Sequence, residues 1–139
     1  PGQAYIGIEV TNPEPTLVSL RGVLEDPEFT EIASPLAIPL GRDVSGKAVV
    51  ADLYKLPHLL IAGATGSGKS VAMNAIICGL LFRNTPDQVK LLMVDPKRVE
   101  FPSYNGIPHL LSPVVTDPEE ASGALSWLLV EMDERYRKF

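Results

Sequence analysis

The chain has 139 residues and a single cysteine, Cys78. One cysteine excludes an internal disulfide and fits a reducing compartment. Cys78 falls within an apolar stretch and reads as a small buried hydrophobe. No apolar run reaches the ~18 residues that a membrane span needs. The opening Pro1-Gly2 shows no basic-then-apolar leader pattern. There is no internal repeat and no low-complexity tract. Basic residues are in deficit: twelve Lys and Arg stand against seventeen Asp and Glu, a net charge of −5. Nonspecific affinity for a nucleic-acid backbone comes from Lys and Arg, so these residues alone do not make a strong phosphate-backbone binder. His58 and His109 each follow a proline and lack the Cys or carboxylate spacing of a zinc site. They read as residues that close turns or bond to backbone.

Against these absences stands Gly63-Ala64-Thr65-Gly66-Ser67-Gly68-Lys69-Ser70. The spacing is that of a phosphate-binding loop, G-x-x-x-x-G-K-[ST]. Leu59–Ala62 before it reads as a short buried strand, and Val71–Phe82 after it as a helix. A triphosphate tail needs convergent backbone N–H donors. Glycines allow positive φ and close approach, and a helix start adds free N–H groups and the positive end of its dipole. The expected nucleotide-binding set is Gly63, Ala64, Thr65, Gly66, Ser67, Gly68, Lys69, Ser70 and Val71. Lys69 is the point charge for the β- and γ-phosphates, and the Ser70 hydroxyl is a Mg²⁺ ligand. The cofactors expected are ATP and Mg²⁺.

With 45% apolar and 21% charged residues, the composition is ordinary for a globular α/β protein. Ile6, Ile8 and Val10 alternate, so residues 1–12 read as a strand. A short helix capped by Ser19 follows, interrupted at Pro27. Short strands are expected around Ala37–Leu40 and Val49–Ala51. Beyond Leu56-Pro57 strand and helix alternate, the pattern of a parallel sheet with crossover helices. Val89–Val94 is the second parallel strand, and Leu110–Val115, broken by Pro113, a weaker third. The last helix starts at an Asp117 cap with Pro118 in its first turn and Glu120 completing a capping box. Ala121, Leu125, Leu128, Met132 and Tyr136 follow helical spacing. Glu131 with Arg135, and Glu134 with Lys138, are four apart on a solvated face. Trp127 reads as packing or a partner surface. The helix reaches Phe139 without a stop signal, which is expected of a truncated protein.

Leu91-Leu92-Met93-Val94-Asp95 has the look of a second nucleotide motif, a hydrophobic strand ending in an acid that holds Mg²⁺. Pro96 follows where hydrolysing motors carry a Glu. Asp95 is therefore read as a polar residue that shapes the site, with direct metal contact as the alternative. A GTPase reading fails for lack of an Asn-Lys-x-Asp base reader after the loop. Asp43-Val44-Ser45-Gly46 has a switch-like form but precedes the loop. A small-molecule kinase and a non-hydrolysing ATP-binding regulatory subunit stay open as alternatives, although no cluster of arginines provides a kinase lid.

Several stretches resemble the FtsK/SpoIIIE-type DNA translocases. They are residues 1–10, then Leu40-Gly41-Arg42-Asp43, Val49 to Leu53 and Pro57 to Gly63. Asp95-Pro96-Lys97 with Glu100, Gly106 to Leu111, Val114 to Asp117, and Glu131-Met132 with Arg135-Tyr136 complete the likeness. The resemblance implies an α/β P-loop NTPase fold, a RecA-like parallel sheet with flanking helices, preceded by a short β-containing segment. It implies residues 1–33 as a connecting segment and 34–139 as the first part of the ATPase domain. It further implies a homo-hexameric ring around double-stranded DNA, chromosome segregation at cell division, and an inner-membrane anchor in an N-terminal region, with this domain in the bacterial cytoplasm. The family's Asp-Glu strand is expected beyond Phe139, so these residues alone are expected to be inactive.

Overall fold

The computed structural model describes Ile8, Val10, residues 13–14 and residues 16–138. The strand expected over residues 1–12 lies outside them, apart from Ile8 and Val10, which are exposed and in no strand.

Ser19 accepts a hydrogen bond from Gly22 N (3.2 Å) and opens helix α1, Leu20–Leu24. Pro27 ends nothing further. It occupies the first turn of a second short helix, α2, Pro27–Thr30, whose Asp26 cap accepts from Glu28 N (3.1 Å). A proline has no N–H to lose at that position, which is why it starts this helix.

Strands β1, Ala37–Arg42, and β2, Ala48–Asp52, form an antiparallel hairpin whose register shifts between Pro39 and Gly41. The turn between them is Asp43-Val44-Ser45-Gly46. Asp43 Oδ1 accepts from Ser45 N (2.9 Å), Ser45 Oγ (2.7 Å) and Lys47 N (3.0 Å). The switch-like tetrapeptide is thus a hairpin turn. Helices α1 and α2 lie on this hairpin, where Val23, Phe29, Ala37, Ile38 and Ala48 are buried. Full burial of side chains the size of Val23 and Ile38 stabilises by about 1.5–3 kcal/mol each.

Helix α3, Lys69–Arg83, is the spine of the structure. On one side it meets β1 so closely that a Cβ on Gly79 would stand 2.4 Å from Pro39 Cδ. Its C-terminal end is tied down by side chains. Arg83 donates to Phe29 O (2.8 Å) and to Ile32 O, and its guanidinium lies 5.0 Å from the Phe29 ring centre. The buried Asn84 donates to Pro35 O (2.8 Å), and His109 Nε2 donates to Asn84 O (2.9 Å).

On its other side α3 packs Met73 and Ile77 against a cluster of Met93, Phe101 and Val114. Here two segments run parallel, joined by isolated bridges between Leu91 and Leu110 and between Val94 and Val115. The pairing is discontinuous for a local reason. Pro113 has no N–H, and Val114 N is taken by Asn105 Oδ1 (2.8 Å). The expected parallel strands therefore survive as two points of contact. The expected buried strand at Leu59–Ala62 does not form. No ladder hydrogen bond reaches it among the described residues, and Leu60 is 91% exposed. A strand exists only through a neighbour's N–H and C=O groups, and none pairs with this run. The fold is α/β, with a two-stranded antiparallel sheet as its one regular sheet among the described residues.

The last helix, α4, is Pro118–Tyr136, capped by Asp117 through Glu119 N (2.8 Å) and Glu120 N (3.4 Å). Arg135 Nε pairs with Glu131 at 2.7 Å. No residue of α4 is buried. Capping, acids in the first turn and good helix formers hold it in place of a packed stripe. No helix among the described residues is long and apolar enough to cross a membrane.

Two helical glycines should respond in opposite ways to alanine. At Gly79 the added methyl meets Pro39, and overpacking of about 1–3 kcal/mol exceeds the ~1 kcal/mol gain in helix propensity. Gly123 in α4 has open space around it, so only the gain remains. Urea unfolding should show a lowered midpoint for Gly79→Ala and an unchanged or raised one for Gly123→Ala. A raised midpoint at Gly79 would disprove the tight α3–β1 contact.

Candidate functional site

The loop enters α3 through backbone geometry that only glycine accepts. Gly66 and Gly68 have φ of 81° and 88°, in the left-handed region that side chains disfavour. A Cβ on Gly63 would fall 2.2 Å from Ser67 Oγ. Ser67 N donates to Ala64 O (3.0 Å), which folds the loop back on itself. Ala64, Thr65, Gly66 and Ser67 are exposed. Helices α1, α2 and α4 have their first N–H groups capped by Ser19, Asp26 and Asp117. Helix α3 begins at Gly68 with no side-chain cap. Its first N–H groups, from Lys69 to Val71, are left for an external acceptor, at the positive end of the helix dipole.

Lys69 and Ser70 are half-buried at this point. Lys69 Nζ lies 3.4 Å from Glu100 Oε1. Ser70, the next residue, is the strongest influence lowering the pKa of the same carboxylate. Partial burial opposes that shift, and Lys69 reinforces it. A carboxylate therefore already sits where the lysine, the serine and the helix start converge. The residues of the loop fit a polyphosphate with Mg²⁺ on this ground. Lys69 already pairs with an anion, Gly63 leaves room that a side chain would fill, and the helix N–H groups are uncapped.

Glu100 is a candidate site residue that reasoning from the sequence did not single out. It is placed by the turn that Asp95 organises. Asp95 is 3% exposed. Its Oδ2 accepts from Glu100 N (2.8 Å) and Phe101 N (3.0 Å). Arg98, at φ 58°, makes the reversal. Phe101 then enters the core and packs edge-on to Tyr104, with ring centres 6.0 Å apart. Tyr104 Oη donates to Asn74 Oδ1 (2.7 Å). Burial, then the neighbouring Cys78, pushes the phenol pKa up to about 12, so it remains a donor. Ser70, Asn74 and Cys78 are successive residues on one face of α3, and the segment from Glu100 to Tyr104 lies along it. Cys78 is half-buried beside Tyr104, not fully enclosed as its apolar setting implied. The signal in the sequence was an acid five residues beyond Asp95, across a proline and a turn.

Asp95 is thus occupied with backbone donors and shapes the loop that carries Glu100. Among the described residues no group of three or more His, Cys, Asp or Glu side chains is arranged to hold a metal. His58 is exposed, and Trp127 lies with Lys90, Leu111 and Met132 in an open groove beside α4, remote from the loop in the chain.

A glycine-built turn feeding an uncapped helix, with lysine and serine at its first positions, defines the P-loop class. The chain belongs to the FtsK/SpoIIIE family of P-loop NTPases, whose model matches residues 19–139. It is 58% identical over 139 residues to the DNA translocase FtsK of Oceanobacillus iheyensis. To the proteins of the same name from Lactiplantibacillus plantarum and Caldanaerobacter subterraneus it is 57% and 56% identical. Each alignment takes in 100% of this chain but only 18%, 17% and 20% of those relatives. The chain spans about a fifth of their length.

Burial alone would raise the Asp95 pKa, but backbone N–H groups of Phe101, Glu100, Arg98 and Lys97 outweigh it and hold the carboxyl below its ordinary value. A depressed carboxylate stabilises the fold above the unfolded pKa of about 4, and that contribution is lost as pH falls through the folded value. Asp95→Asn removes this titration. Its stability, measured by urea unfolding between about pH 5 and pH 2, should fall less steeply with acid than that of the natural chain. Identical slopes would mean that Asp95 does not hold its charge against these donors.

Proposed function

We propose that the chain is the ATP-binding part of an ATP-driven double-stranded DNA translocase that acts in chromosome segregation and cell division. In this reading residues 34–139 are the first part of a RecA-like ATPase domain with a parallel sheet, and 1–33 a connecting segment. Family membership and the name shared by relatives above 50% identity support it. The observation that carries the nucleotide site is the convergence of Lys69 and Ser70 on one carboxylate at the uncapped start of α3.

ATP and Mg²⁺ would be held by Gly63 to Val71. Lys69 neutralises the β- and γ-oxygens, Ser70 offers its hydroxyl to the metal, and the N–H groups of the loop and of α3 orient the phosphates. Bound Mg²⁺ supplies charge neutralisation at the phosphates. The proposed assembly is a homo-hexameric ring around duplex DNA, anchored in the bacterial inner membrane by a preceding region, with this domain in the cytoplasm. A net charge of −5 leaves most DNA-backbone contact to other parts of the protein. A neighbouring subunit would complete the pocket with a basic residue. Arg42 is committed within its own fold, to Asp26 at 3.0 Å, and Arg83 to α2. Arg98 is exposed at the turn beside the site.

Lys69→Ala in the full-length protein is expected to lower ATP turnover by about 10²-fold or more, the scale of losing one preorganised charge at a reacting phosphate. DNA translocation should cease. Turnover measured with and without long duplex DNA tests both halves, since a translocase is stimulated by DNA and a small-molecule kinase is not. Retained turnover in Lys69→Ala would refute the role assigned to the loop.

A further inference from the structure

Glu100 is not needed to bind phosphate, and its charge is of the wrong sign to do so. It nonetheless pairs with Lys69, the ammonium on which the proposed site depends. The Lys69–Glu100 pair is partly shielded, with side chains 38% and 21% exposed, so solvent screens it less than a surface pair. Its position is fixed on both flanks. Asp95 binds its backbone N–H, Phe101 is anchored in the core, and Tyr104 is bonded to Asn74 of α3. The backbone that carries the carboxylate cannot move away from the loop without disturbing that packing.

We infer that Glu100 is a positioning residue that makes nucleotide binding at this loop depend on a divalent cation. The inference rests on the nucleotide reading above. With Lys69 and the start of α3 already facing one carboxylate, an incoming triphosphate brings a second anion to the same place. Two like charges within a few ångströms disfavour each other. Metal-free nucleotide must therefore take Lys69 from Glu100 and then remain next to it uncompensated. A cation at the Ser70 hydroxyl changes the balance, because Ser70 lies beside the same carboxylate. Glu100 then faces a positive charge as well as a negative one. The residue so placed penalises metal-free nucleotide and leaves the metal complex unopposed.

The test is equilibrium binding, with no turnover required. A fluorescent ATP analogue is titrated into the full-length protein in MgCl₂ and in EDTA, and the ratio of the two Kd values is taken. Glu100→Gln keeps the size and hydrogen-bonding capacity of the side chain and removes its charge. It should tighten binding in EDTA and lower the EDTA-to-Mg²⁺ ratio by about tenfold, the scale of one close like-charge interaction. Glu100→Asp, which keeps the charge, should retain most of the ratio. Glu100→Ala gives the same reading as Glu100→Gln should the latter not fold. A merely structural role weakens binding equally in both solutions, and that unchanged ratio would overturn the inference. A lower ratio that arises only from weaker binding in MgCl₂ would overturn it too, since Glu100 would then be serving the metal without opposing the free nucleotide. Absence of binding by the natural protein in both solutions is a different result, which brings down the nucleotide reading itself.

Discussion

Positive charge gathered at the beginning of α3 needs an anion, and the structure around the site answers that need. Uncapped N–H groups, the end of the helix dipole and the Lys69 ammonium act at one place. In the other α-helices the corresponding donors are quenched by their own side chains, as at Ser19, Asp26 and Asp117. Here the turn of glycines cannot cap, so the partner comes from elsewhere in the chain. Glu100, 31 residues beyond Lys69, supplies it to the ammonium and leaves the helix N–H groups open. The segment that delivers Glu100 is held by the burial of Asp95 and Phe101 and by Tyr104 on Asn74.

The helix that bears the site is clamped along its length. At Gly79 it approaches β1 closely enough to exclude a methyl group. At its end Arg83 and Asn84 bind the carbonyls of Phe29, Ile32 and Pro35. Met73 and Ile77 pack into the Met93–Phe101–Val114 cluster on the other side. Both halves of the fold meet on α3, so the orientation of Lys69 and Ser70 is inherited from two cores. The loop itself is open, which suits a site that must admit a large anion.

Much of this was legible in the chain. The glycine-rich turn, the helix after it, the hairpin strands and the caps at Ser19 and Asp117 all rest on short-range rules of spacing and capping, and the structure shows each at or near its expected bounds. The Leu59–Ala62 run was misread for an equally physical reason. Its apolar composition predicts burial between neighbours, but a strand is made by partners, and none pairs with it among the described residues. The parallel segments were legible as apolar runs, and the break between them was legible only in part, through Pro113. That Val114 N turns to Asn105 could not be seen.

The site divides in the same way. The residue order alone determined that Gly63–Ser70 is a glycine-built loop leading into a helix, because glycine positions and a helix start act over a few residues. The FtsK/SpoIIIE likeness could likewise be read from local stretches. Only the tertiary structure decided that Asp95 spends its carboxylate on backbone N–H groups and that Glu100 reaches Lys69 and Ser70. Both depend on a reversal at Arg98 and on Phe101 entering a core built from distant segments. Spacing along a chain fixes which groups can act together within a turn or a helix. Which charges meet across thirty residues is settled by packing.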